Sequence, residues 1–309
     1  MPSFYAKVLS TNISSYDTNT LSVLIEEEAK KPPIEARPTT IRIDESIKLK
    51  DGDVYYFEME PVVHNEKEQL LITKHTHLNE CDLTLSEQEY LMRLFYTFAP
   101  IDIEVIKASI EVYLSKLKNK TIKTLTEDIY TRFEDKFYLY PAATRFHHAY
   151  IGGLAHHTET MLRLTDGVLE VYPFLDADLL ISGTILHDVM KTVELSNYKD
   201  PEYTKEGKLI GHITMGVKEI TKTALKLDLY DTEERLLLEH MIISHHYYGN
   251  FGSPKKPNIP EALALHFIDN IDSKFAVLGE ALAQIQPGEF TPSLPVLDRE
   301  RFYKPKLKK

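Results

Sequence analysis

The sequence predicts a multi-domain α+β chain in which a small N-terminal β-barrel precedes an all-α domain. Three observations predict it. Short runs rich in β-branched and aromatic residues alternate with turn signals over the first eighty residues. From about Leu85 the apolar spacing changes to the helical period. Histidine and aspartate then recur on the apolar sides of those helices.

Length and composition set the limits. A chain of 309 residues holds one large or two ordinary domains. A hydrophobic content of 43% and a charged content of 27% are those of a globular protein with ample core. The formal net charge of −11 argues against indiscriminate nucleic-acid binding but leaves room for a local basic groove. The single cysteine, Cys81, excludes an intrachain disulfide framework and fits a reducing compartment. The start, Met1-Pro2-Ser3-Phe4-Tyr5-Ala6-Lys7, lacks the layout of a signal peptide. No run approaches the roughly eighteen apolar residues of a membrane span. The expectation is a cytoplasmic protein with no membrane partner, and a homo-oligomer stays open.

Strands are expected at residues 4–10, 21–26, 39–43, 54–63 and 69–74. Asp17-Thr18-Asn19, Lys31-Pro32-Pro33 and Asp51-Gly52-Asp53 supply turns between them. Five short strands suit a small barrel such as an OB-fold, which commonly holds single-stranded nucleic acid. A generic barrel serving as an interaction module fits the same composition. Tyr55, Tyr56 and Phe57 offer stacking faces, although strand aromatics are more often core. The acidic block Glu26-Glu27-Glu28 counts against nucleic acid.

Helices are expected at residues 86–98, where Pro100 ends the run, and at 103–117 and 126–137, all as connecting or packing elements. The segment 140–150 is dense in hydrogen-bonding and basic groups. In the helix expected at 153–168, His157 shares a face with Leu154, Met161, Leu164 and Val168, while His156 falls on the polar side. The apolar run 179–186 leads into His187-Asp188. Such a pair is costly there unless the two groups bond each other or bind a cation. Lys191, three residues after Asp188, can project to the same side.

His212 opens a further helix, and a helix from about Asp231 ends at His245-His246. Neighbouring histidines at a helix end can both reach one ion, because the backbone leaves helical geometry there. His240 sits about 140° away round that helix and is expected to be structural. In the helix expected at 260–276, Ala262, Leu265, Asp269, Asp272 and Ala276 line one face. From Gln286 a solvated, partly ordered terminus is expected. The domain expectation is therefore 1–80 for the barrel, 81–140 for connecting helices, 141–285 for the helical core and 286–309 for the tail.

His157, His187, Asp188, His212, His245, His246 and Asp269 collect as inward-facing groups. Nitrogen and carboxylate donors without cysteine suit Mn²⁺, Fe²⁺, Co²⁺, Ni²⁺ or Zn²⁺ rather than a thiolate zinc site. Seven donors exceed one ion's usual share, so two divalent ions bridged by Asp188 are expected. His157, His187 and Asp269 complete one site, and His212, His245 and His246 the other. Two metals a few Å apart can activate water and clamp a phosphate.

The order His … His-Asp … His … His-His … Asp resembles the HD-domain metal-dependent phosphohydrolases. Pro141-Ala142-Ala143, His147-His148-Ala149-Tyr150, Gly152-Gly153-Leu154, His157-Thr158, Ser244-His245-His246 and Pro260-Glu261-Ala262-Leu263-Ala264-Leu265-His266, with Asp269 and Asp272, narrow it. They look like the YhaM-type 3′→5′ exoribonucleases, which place an OB-fold before an HD domain. The resemblance covers roughly Leu85 to Tyr303. It implies a helical HD domain, a divalent metal, often Mn²⁺ or Co²⁺, and removal of nucleotides from the 3′ ends of RNA or single-stranded DNA. The family's ligand pattern falls on the seven residues above. The Gly-rich strand pattern expected of the N-terminal domain is not found here.

The expected function is a metal-dependent 3′→5′ exonuclease acting on single-stranded RNA, with single-stranded DNA left open as a second substrate. Asp188 and Lys191 are the expected catalytic pair, with Lys191 stabilising charge on the reacting phosphate or else serving as a salt bridge. Arg145, His148 and Lys255 are expected to contact substrate. Two other readings remain open. One is a phosphohydrolase of nucleotides or cyclic dinucleotides. The other is a non-enzymatic nucleic-acid-binding module with a structural metal.

Overall fold

The computed structural model describes residues 2–12, 19–32, 35–44, 46–64, 67–144 and 148–307. The chain divides into two compact units, Met1–Phe98 and Ala99–Lys309. Of the expected turn residues, Asp17, Thr18 and Pro33 lie outside the described residues.

In the first unit, β1 (Ser3–Asn12), β2 (Thr20–Ile25), β3 (Thr39–Arg42), β4 (Val54–His64) and β5 (Lys67–His77) close into a barrel. Its strand order is β1-β2-β3-β5-β4. All pairings are antiparallel except β3 with β5, which meet in parallel at Arg42 and Leu71. The two-residue period of a strand sends alternate side chains inward. Ala6, Val8, Leu21, Val23, Ile41, Tyr55, Phe57, Met59 and Ile72 form the barrel core. Two of the aromatics expected to offer stacking faces are thus interior residues. Tyr55 and Phe57 are buried, and only Tyr56 is half-exposed, its ring 5.1 Å from that of Tyr5.

The acidic block forms a single turn, α1 (Glu26–Ala29), whose charge is offset by Lys30 on Glu26 and Lys31 on Glu28. Helix α2 (Leu85–Phe95) begins with a capping box, in which Thr84 and Glu87 satisfy each other's backbone N–H groups. Just after this helix, Tyr96 donates its hydroxyl to the carbonyl of Gly52 in the β3–β4 connection. The helix expected to connect the domains therefore belongs to the barrel unit.

The second unit is helical. Its elements are α3 (Ile103–Lys116), α4 (Lys120–Phe137), α5 (Gly153–Val171), α6 (Ala177–Leu186), α7 (Lys191–Glu194), α8 (Lys205–Ile210), α9 (His212–Lys226), α10 (Glu233–Ser244) and α11 (Pro260–Ala283). In helix α6 every residue from Leu179 to Leu186 is buried, Ser182 and Thr184 included, as in a helix enclosed by others. It packs against α3, α4, α5, α10 and α11, so the His187-Asp188 pair at its C-terminal end lies at the centre of the unit. Helix α4 starts six residues earlier than the apolar spacing indicates. Asn119 caps it by accepting the N–H groups of Thr121 and Ile122, and Asp178 holds Lys118 and Asn119 in turn.

The tail is ordered, although most of its residues are exposed as expected. Residues 288–304 fold back as a ribbon bridged at Phe290–Tyr303 and Leu294–Glu300, with Thr291 and Leu294 buried. Lys304 Nζ donates to the carbonyls of Leu282 and Ile285, each at 2.7 Å, and so caps the negative end of α11. A cation on orphan helix carbonyls is a tertiary contact that no local periodicity encodes. Among the described residues, no helix is long and apolar enough to cross a membrane.

Entry into α5 needs two glycines for different reasons. Gly152 has φ +78°, a left-handed conformation that side chains rarely adopt, and a Cβ on Gly153 would lie 1.9 Å from the carbonyl oxygen of His148. Gly153→Ala is expected to destabilise the protein by about 1–3 kcal/mol through overpacking against backbone. In urea the midpoint should fall with the slope unchanged. An unchanged midpoint would contradict this close approach.

Candidate metal centre

Four helix ends bring the candidate ligands together. His157 lies one turn into α5, where the left-handed Gly152 and the close-packed Gly153 aim it at the core. His187 and Asp188 follow the buried α6. His212 is the first residue of α9, admitted by Gly211 at φ +76°. His245 and His246 follow the last residue of α10 and precede Tyr247 at φ 65°, so the chain turns away there and leaves their rings 4.1 Å apart. Asp269 and Asp272 occupy one face of α11.

Among the described residues three groups are of metal-ligating type: His148 with His157 and Asp272, and, on the two sides of Asp188, His157 with His187 and Asp269 and His212 with His245 and His246. Asp188 turns one oxygen to each of the latter two. Its Oδ2 lies 3.2 Å from His187 Nε2 and 3.8 Å from His157 Nε2, while its Oδ1 lies 3.2 Å from His212 Nε2 and 3.9 Å from His245 Nε2. Lys191 Nζ closes on Oδ2 at 2.6 Å.

The second nitrogen of each key ring is already committed. His187 Nδ1 donates to Thr184 O at 2.8 Å, and His245 Nδ1 donates to Ile242 O at 2.7 Å. His212 Nδ1 donates to the Glu194 carboxylate at 3.0 Å, and His157 Nδ1 donates to Asp272 Oδ2 at 2.6 Å. A neutral ring that donates through Nδ1 presents a lone pair at Nε2. Asp188 Oδ1, His212 Nε2 and His245 Nε2 are correspondingly buried polar atoms without a hydrogen-bond partner. The 3.2 Å contact between His212 and Asp188 is therefore two acceptors facing each other, and a cation is what such a pair accommodates. The donor set and these orphaned atoms suit a divalent metal.

The electrostatics agree. Burial alone would raise the Asp188 pKa, but Lys191, His187 and His212 hold it well below the usual carboxylate range. Asp269 and Asp272 are likewise depressed against burial, chiefly by their hydrogen bonds to histidine. Burial and the neighbouring His246 and His187 push His245 far down, which keeps its ring neutral. His157 goes the other way. Burial opposes its charge, yet Asp269 and Asp272 raise it to about 9, so positive charge at its Nε2 is stabilised in this pocket.

A cavity of about 500 Å³ opens over the centre. Asp188, Lys191, His212, His246 and Asp269 reach it from below, and Thr144, Tyr203, Asn270, Ser273, Lys274 and Val296 of the folded-back tail form its walls. A phosphate group entering it would meet histidine, carboxylate and two lysines.

A model of the HD domain matches residues 154–274. The 3′-5′ exoribonuclease YhaM of Geobacillus sp. (strain WCH70) is 36% identical over 304 residues, covering 97% of this chain and 90% of that protein. This chain belongs to the YhaM exoribonuclease family. The 3′-5′ exoribonuclease YhaM of Bacillus subtilis (strain 168) is 42% identical over 226 residues, covering 73% of this chain and 72% of its own length. That of Bacillus pumilus (strain SAFR-032) is 44% identical over 211 residues, covering 68% and 67%. No solved structure matches. All seven ligand candidates, with Lys191, fall inside the HD-domain match.

The residues expected to touch substrate fare differently. Arg145 lies outside the described residues. Lys255 is exposed and is not among the cavity's lining residues. His148 is only 3% exposed and is bonded to Asp272 at 2.7 Å, behind His157, so it supports the centre instead of contacting substrate. His240, expected to be structural, accepts the N–H of Asn258 at 2.9 Å. Sequence reasoning gave no role to Glu194, Asn270, Ser273 or Lys274. It placed Asp272 on the inward face of α11 without seeing that it orients His157. Its three-residue spacing from Asp269 could have shown that. Glu194 stands 18 residues before its partner His212, and no periodicity links them.

The shift at His157 gives the metal-free protein a pH dependence. Its folded pKa lies above the ordinary histidine value, so the stability it contributes is fully present below about pH 6.5 and is lost as pH rises through 9. Chelator-treated protein should lose about 3 kcal/mol over that window, as the shift converts at about 1.4 kcal/mol per unit. Urea unfolding at pH 6.5 and 9 measures it. A stability that stays level or rises would contradict the assignment of charge to His157.

Proposed function

We propose that the chain is a metal-dependent 3′→5′ exonuclease that hydrolyses phosphodiester bonds of single-stranded RNA with two divalent ions. His157, His187 and Asp269 with one oxygen of Asp188 would hold the first. His212, His245 and His246 with the other oxygen would hold the second. The observation that carries this reading is the pair of Asp188 oxygens aimed at two separate histidine groups, with Oδ1 unpartnered opposite the lone pairs of His212 and His245. Nitrogen and oxygen donors without thiolate suit Mn²⁺, Co²⁺, Fe²⁺, Ni²⁺ or Zn²⁺, and the family resemblance points to Mn²⁺ or Co²⁺ among them. Bound there, such ions supply Lewis acidity to a phosphate and lower the pKa of water.

The chain's own groups provide the rest. Lys191 is held at the cavity floor by Asp188, and that pairing raises its pKa against the effect of burial, so it stays charged. A fixed cation there stabilises the negative charge that grows on the reacting phosphate. Lys274 on α11 lies at the cavity wall, suited to a neighbouring phosphate of the strand. Glu194 and Asp272 hold His212 and His157 in orientation. Direction and substrate rest on the relatives, which are named 3′-5′ exoribonucleases. An RNA substrate and the lone Cys81 fit a cytoplasmic, reducing setting.

A single-stranded oligoribonucleotide labelled at its 5′ end should give a ladder shortening one nucleotide at a time, while a 3′ label should appear at once as mononucleotide. The reverse pattern, or turnover of free nucleotides without any ladder, would contradict the proposal. A DNA oligomer of the same sequence, run alongside, reads whether the ribose hydroxyl is required.

Lys191→Met is expected to lower kcat on the order of 10²-fold with little change in KM and no loss of metal. If the variant loses metal instead, Lys191 holds the centre together and does not act on the phosphate.

A further inference from the structure

Behind His157, on the side away from the cavity, hydrogen-bonding side chains form a file. His157 Nδ1 and His148 Nε2 both meet Asp272 Oδ2, at 2.6 and 2.7 Å. His148 Nδ1 lies 2.6 Å from the hydroxyl of Tyr150, and His156 Nδ1 lies 2.7 Å from the same oxygen. His157, Asp272 and His148 are buried, whereas Tyr150 and His156 are half-buried.

The chemistry of the groups fixes the direction of the bonds. A carboxylate only accepts, so both rings donate to Asp272. A neutral His148 then carries its lone pair on Nδ1, and Tyr150 must donate its hydroxyl proton there. The tyrosine oxygen is left to accept from His156 Nδ1–H. Every donor in the file thus points toward Asp272. The backbone is held to this arrangement at a cost. His148 sits at φ 52°, uncommon for a residue with a Cβ, and its carbonyl accepts the N–H of Ala142 at 3.1 Å.

We propose that Tyr150 is a positioning residue for the metal group at His157. Its hydroxyl locks His148 in the Nε2–H tautomer, and through Asp272 this keeps His157 Nε2 aimed at the ion. Without the hydroxyl, His148 can carry its proton on Nδ1. Its Nε2 lone pair would then face the Asp272 carboxylate at 2.7 Å. Two acceptors at that distance repel, and the carboxylate that orients His157 moves.

The inference rests on the proposed metal centre, and its test separates the two. Full-length protein is stripped with chelator and titrated with Co²⁺, followed by calorimetry and by the visible absorption of the bound ion. If the wild type binds no Co²⁺, the centre itself is wrong. If it does, Tyr150→Phe should weaken one of the two binding steps about tenfold and change its absorption band, leaving the other step unchanged. In an Asp272→Asn background the same substitution should have no further effect, because its influence passes through Asp272. In a Glu194→Gln background it should retain its full effect. His148→Asn, which removes the middle link, should show the same selective loss and serves if Tyr150→Phe does not fold. Unchanged affinity, an equal loss at both steps, or an undiminished effect in the Asp272→Asn background would overturn the proposal.

Discussion

The helical unit depends on one buried carboxylate. Asp188 follows a helix buried from Leu179 to Leu186, where an isolated charge would be prohibitive. It stays ionised because Lys191, His187 and His212 surround it. Several of the polar groups around it answer to it. Lys191 balances its charge, Glu194 turns His212 toward it, Thr184 and Ile242 fix the tautomers of His187 and His245, and Asp272 orients His157. These partners leave the rings' lone pairs converging on the carboxylate, an arrangement stable only around positive charge.

Helix packing supplies the convergence. Each ligand sits at a helix terminus or on a buried helix face, where the backbone is held by neighbours on several sides. Sites built on such elements are more precise than sites on loops. The walls of the cavity come partly from α11, through Asn270, Ser273 and Lys274, and partly from connecting segments, including the ribbon that carries Val296. The ribbon is tied down by Lys304 on the carbonyl end of the helix that bears Asp269 and Asp272, so the wall and the ligand helix are one mechanical unit.

Much of this was legible in the sequence because period and polarity are local properties. Short runs rich in β-branched and aromatic residues between turn signals announced strands, and the barrel followed from their number. The ligand candidates could be picked out because each histidine or aspartate stood against an apolar face. What escaped notice depends on contacts between distant elements. Nothing in the vicinity of Glu194 signals that it will cap His212, nor does Lys304 signal that it will cap α11. Tyr55 and Phe57 read as possible base platforms until the closed barrel placed them inside. His148 looked like a substrate contact because histidines cluster there, whereas the structure buries it with a left-handed backbone and bonds it to Asp272.

The central claim is that one carboxylate is shared by two ions, and electron paramagnetic resonance of the Mn²⁺-loaded protein tests it most directly. Metal-free protein is loaded stepwise and its metal content counted by elemental analysis. Two Mn²⁺ per chain with the multiline spectrum of an exchange-coupled pair is the expected result, because a bridging carboxylate couples the two spins. In Asp188→Ala that spectrum should be absent. A single ion per chain at saturation, or two ions that give only uncoupled six-line signals, would contradict the shared carboxylate.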